Sequence, residues 1–103
     1  MKSSLRIALL GLFLAGESLL AHTALMNCFD NGDKSVSCEA GFSDGSSAAG
    51  ATLKVIQGGK VVQEMKLDKN SEATFKKPEG EYVVVFDGGE GHFVEIKSQK
   101  ILN

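Results

Sequence analysis

From residue 24 onward, short apolar runs alternate with clusters of Gly, Asp, Asn and Ser, spaced too closely for helices. The clearest run is Val36 to Phe42, where Val36, Cys38, Ala40 and Phe42 fall on one face and Ser37, Glu39 and Gly41 on the other. A period of two marks a half-buried strand. Seven runs are read as strands: Ala24–Phe29, Val36–Phe42, Ala51–Ile56, Val61–Leu67, Glu72–Lys76, Glu81–Phe86 and His92–Lys97. Between the third and fourth, Gln57-Gly58-Gly59-Lys60 predicts a tight hairpin, because paired glycines accept the positive φ angles of a type I′ turn. Val61, Met65 and Leu67 are in phase in the fourth run, and Glu81–Phe86, the most apolar, is expected inside a sheet. Residues 98–103 are read as a frayed tail. Seven strands in about 80 residues leave no room for a long helix, so the expected fold is an all-β, seven-stranded antiparallel β-sandwich.

The first 21 residues break this pattern. Lys2 and Arg6 precede the apolar stretch Ile7–Ala15, followed by Gly16, Glu17, Ser18 and Leu19-Leu20-Ala21. A basic start, a short apolar centre and a small-residue end describe a secretory signal peptide. The stretch is shorter than the roughly 20 apolar residues that a membrane span needs. Cleavage is expected after Ala21, leaving a domain of residues 22–103 with His22 as its first residue. No Cys follows the apolar stretch, so lipid anchoring is not indicated. The chain carries 11 Lys and Arg against 13 Asp and Glu, and loss of Lys2, Arg6 and Glu17 leaves 9 against 12. A charge this near balance gives no reason to expect a nucleic-acid partner. No second apolar segment follows, so the product is expected to be periplasmic or secreted and not itself membrane-spanning.

Export changes the meaning of the two cysteines. Cys28 and Cys38 lie in the first two strands, and in an oxidising compartment such a pair reads first as a disulfide. The rival readings are a pair of soft thiolate ligands or a redox couple.

Two stretches carry a family resemblance. Phe42-Ser-Asp-Gly-Ser-Ser-Ala-Ala-Gly-Ala-Thr-Leu-Lys-Val55 resembles the start of carboxypeptidase regulatory-like, or transthyretin-like, domains, where a small-residue loop D-G-x-P-x-x-G-A precedes a V-x-V strand. Ser47 stands where that loop usually has proline. Gly80-Glu-Tyr-Val-Val-Val-Phe-Asp87 resembles the G-x-Y-x-V-x-V-x-A strand of the same domains. The resemblance implies a transthyretin-like or immunoglobulin-like sandwich. A leader ending just before His22, together with Asp87-Gly-Gly-Glu-Gly-His92, is similar to small periplasmic accessory components of nickel/cobalt uptake systems that accompany energy-coupling-factor transporters. It implies Ni²⁺ or Co²⁺ as cargo and a membrane metal-uptake transporter, or another envelope protein, as partner.

His22 and His92 are the chain's two histidines. As a first residue, His22 offers an α-amine and an imidazole that can close a chelate ring on a divalent metal suited to nitrogen ligands. His92 is in phase with Val94 and Ile96 and should open the inward face of the last strand. Where the first and last strands of a sandwich run side by side and parallel, both histidines fall at one end. They are the expected metal ligands, with Glu90 or Met26 as further donors. The competing readings are a mobile terminus for His22 and a hydrogen-bonded structural imidazole for His92.

Other chemistry is weakly supported. Asp30-Asn-Gly-Asp33 lacks the closing Glu of a calcium loop. The Gly-x-Gly of residues 89–91 opens no helix, so dinucleotide binding is not indicated. Nothing places a histidine beside a nucleophile with a third orienting group, and the expected function is non-enzymatic. Phe29, Phe42, Phe75 and Phe86 are expected in the core. Phe93 is out of phase, and as an exposed contact it favours the alternative function, a protein-binding sandwich without metal.

Overall fold

The alternation of apolar and polar side chains resolves into two facing sheets. The computed structural model describes residues 23–103; the expected signal peptide and His22 lie outside the described residues. The strands are β1 (Ala24–Asp30), β2 (Ser35–Phe42), β3 (Thr52–Gln57), β4 (Lys60–Lys66), β5 (Glu72–Lys76), β6 (Val83–Asp87) and β7 (Phe93–Lys97). One sheet has the order β1-β2-β5 and the other β4-β3-β6-β7, and every pairing between these strands is antiparallel. β6 sits inside its sheet between β3 and β7, as its apolar sequence predicts.

The inward faces make one core. Met26, Cys28, Val36, Cys38 and Phe75 come from the first sheet, and Leu53, Val55, Val84 and Phe86 from the second. Phe86, Leu53, Val36, Val55, Val84 and Cys38 are fully buried. Each is two residues from another inward position, so the burial follows from the pleat. Gly58 and Gly59 both take positive φ, 59° and 78°, and form the two-residue turn joining β3 to β4.

Three expectations fail. Val61 is half exposed rather than packed in phase with Met65 and Leu67. A register shift between Val55 and Ile56 pairs Ile56 with Val61 and Val55 with Gln63, so Val62 is an extra residue and the alternation is broken there. Phe29 is also half exposed, because it follows the inward Cys28 on the strand and therefore points outward. Residues 98–103 are not frayed. Ser98–Lys100 forms a 3-10 turn, the Ser98 N–H donates to the Tyr82 carbonyl (2.9 Å), and Ile101 is buried. Leu102 then pairs in parallel with Phe29, its carbonyl accepting from the Asp30 N–H (3.0 Å). An apolar anchor at Ile101 and a vacant strand edge at Asp30 together hold the tail.

Candidate metal centre

β1, β3, β5 and β7 begin at the end of the sandwich where β2, β4 and β6 finish. This upper end carries loops 43–51, 67–71 and 87–92. Ala24 is opposite Phe42 in the β1–β2 ladder. Immediately beyond, the Thr23 N–H donates to Ser43 Oγ (3.1 Å) and the Ser43 N–H to the Thr23 carbonyl (2.8 Å). Phe42 joins the sheets: its ring centroid is 5.8 Å from that of Phe86 and 6.2 Å from the His92 imidazole, which it meets edge to face. The start of β1 and His92 are therefore at the same end, linked through one aromatic ring.

The loop bearing His92 is built by local hydrogen bonds. The Gly89 N–H donates to Asp87 Oδ1 (2.9 Å), the Gly88 N–H to the His92 carbonyl (2.7 Å), and the His92 N–H to the Gly89 carbonyl (2.9 Å). Gly89, Glu90 and Gly91 take successive positive φ angles, which turns the chain within three residues. Gly88 permits the close approach of Phe42. A Cβ there would stand 3.1 Å from both the Phe42 ring and the His92 carbonyl oxygen. His92 is half-buried and in phase with Val94 and Ile96, as its sequence position predicts.

The other candidate donors divide. Glu90 is exposed on the same loop, two residues before His92. Met26 is withdrawn into the core between the sheets, on the inward face of β1. Cys28 and Cys38 are opposite each other in the β1–β2 ladder and form a disulfide, S–S 2.01 Å, so neither is a thiolate ligand. Among the described residues, no group of three or more His, Cys, Asp and Glu side chains is gathered around a point.

At the opposite, lower end lies a cluster that sequence reading missed. Lys77 Nζ donates to Asp30 Oδ2 (2.6 Å) across 47 residues of chain. That bond, with one from the Gly32 N–H, holds the Asp30 carboxyl below its ordinary value, and the same bond raises the Lys77 ammonium. Both line a cleft of about 210 Å³ with Tyr82, Ser98 and Ile101. Tyr82 is buried there, and desolvation raises its phenol. The only local hint was Asp30 at a strand end, since its partner is supplied by a remote turn.

Comparisons with protein-family models, with curated proteins and with solved structures give no match for this chain.

Proposed function

We propose that the protein is an exported, non-enzymatic accessory protein that binds Ni²⁺ or Co²⁺ at the upper end of its sandwich and assists a membrane uptake transporter. His22 is the primary ligand, through its α-amine and imidazole, and His92 is the secondary one, with Glu90 available as an oxygen donor. The observation that carries this reading is the common position of β1's start and His92, joined through Phe42. His22 is covalently joined to Thr23, which hydrogen-bonds at that same end. Neutral imidazole and amine nitrogens suit late first-row divalent metals. The Cys28–Cys38 disulfide and the absence of a membrane-crossing helix among the described residues are compatible with export.

Calorimetric titration with Ni²⁺, Co²⁺ and Cu²⁺ tests the reading, using protein whose first residue is verified as His22. One site is expected, weakened in His92→Ala. No heat of binding with any of the three metals would remove it. The second reading, a metal-free protein-binding module, is favoured by Phe93, which is 58% exposed on the edge strand β7. Partner capture that is unaffected by chelators would support it instead.

A further inference from the structure

Charge is sorted along the strand direction. The upper loops, 43–51, 67–71 and 87–92, carry Asp44, Asp68, Asp87 and Glu90 against Lys69. The lower end, formed by residues 30–34, 58–60, 76–82 and 97–103, carries Lys34, Lys60, Lys76, Lys77, Lys97 and Lys100. Its acids are Asp30, which cancels against Lys77, and Asp33, Glu79 and Glu81, so five lysines face three acids. Among the described residues, four of the six exposed large apolar side chains lie towards this end, Leu25 and Phe93 towards the other. Leu102 is 70% exposed and pairs with the half-exposed Phe29, while Val61 and Val62 stand beside the β3–β4 turn.

We propose that this lower end is a docking surface for anionic phospholipid bilayers. The lysines meet the lipid phosphates, and Leu102 and Phe29 enter the headgroup layer. Cationic side chains around exposed apolar ones are the ingredients of interfacial binding. The lysines are spread over several turns rather than converging on a pocket, which suits a diffuse field of phosphates. Protein–protein interfaces, by contrast, are depleted in Lys. Ile101 and the Asp30–Leu102 hydrogen bond hold the apolar tip in place. This contact gives the domain a route to a bilayer surface, with the acidic, His92-bearing end directed away from the lipid. The surface stands independently of metal binding.

Vesicle co-sedimentation tests it, using protein beginning at His22, which contains every strand of both sheets. The vesicles are phosphatidylglycerol mixed with phosphatidylcholine, or phosphatidylcholine alone. Binding is expected only to the former and is lost at high salt. A Lys60→Glu/Lys97→Glu/Lys100→Glu variant changes exposed residues and should keep its circular dichroism, yet bind roughly a hundredfold more weakly. Lys69→Glu, at the other end, should bind as the parent does. Equal binding to both vesicle types, or an unchanged triple variant, would overturn the proposal. So would lipid-free, concentration-dependent self-association lost in the triple variant, because the basic end would then serve the acidic end of a second copy.

Discussion

Cys28 and Cys38 face each other across the β1–β2 ladder, so their bond ties a hairpin whose ends the backbone already pairs. Its contribution is mainly the freedom it removes from the unfolded chain, about 2–3 kcal/mol for so short a loop. In a domain this small that is a large share of the usual stability margin. The Cys28→Ala/Cys38→Ala variant should keep the β-rich circular dichroism while its unfolding free energy, from urea titration, falls by that amount. A second residue-scale prediction concerns Gly88. Its replacement by Ala places a methyl 3.1 Å from the Phe42 ring, and overpacking of this kind costs about 1–3 kcal/mol. Thermal unfolding should reveal the loss, and the His92 imidazole resonance should move with the displaced ring. The cysteine pairing was legible from the expected export and from position. The role of Gly88 was not, because the ring it accommodates belongs to a strand 46 residues earlier.

Strands were legible wherever alternation was uninterrupted, as in β2, and the Gly58–Gly59 turn was legible because its backbone demands a specific residue type. The reading failed where a local irregularity or a remote partner decides. The extra residue in β4 turns Val61 outward, and the tail is ordered by edges and pockets that exist only after the sheets form. Ile101 is the tail's anchor, and Ile101→Ala should cost about 2–4 kcal/mol and detach Leu102 from Phe29, measurable as faster hydrogen exchange at the Asp30 amide. The lower-end cluster also predicts pH dependence. Asp30 is held below its ordinary 3.8, so its stabilising bond is present above that value and lost as pH falls through the lowered one. Lys77 is raised above 10.5 and Tyr82 above 10.0, so their contributions are present below those values and lost as pH rises through the raised ones. Urea unfolding across pH should show stability declining at both extremes. Lys77→Gln should flatten the acid limb, and Tyr82→Phe should reduce the slope of the alkaline one.

For the whole molecule, the sandwich brings the first and last strands to neighbouring edges and closes them with the parallel Phe29–Leu102 bridge. Period-two patterning made the fold class legible because each sheet has one buried face. The candidate site was only partly legible. The phase of His92 along β7 could be read, and the pairing of Ala24 with Phe42 puts the beginning of β1 beside it. The withdrawal of Met26 could not be read, since either face of β1 carries apolar residues: Met26 and Cys28 inward, Leu25 and Phe29 outward. We propose that the free α-amine of His22 completes a chelate at the end marked by His92. The most direct test of this proposal is calorimetric Ni²⁺ titration of two proteins, one beginning at His22 and one with a single glycine added before it. The account predicts that the first binds one ion and that the added residue abolishes the site; equal affinity in both proteins would contradict it.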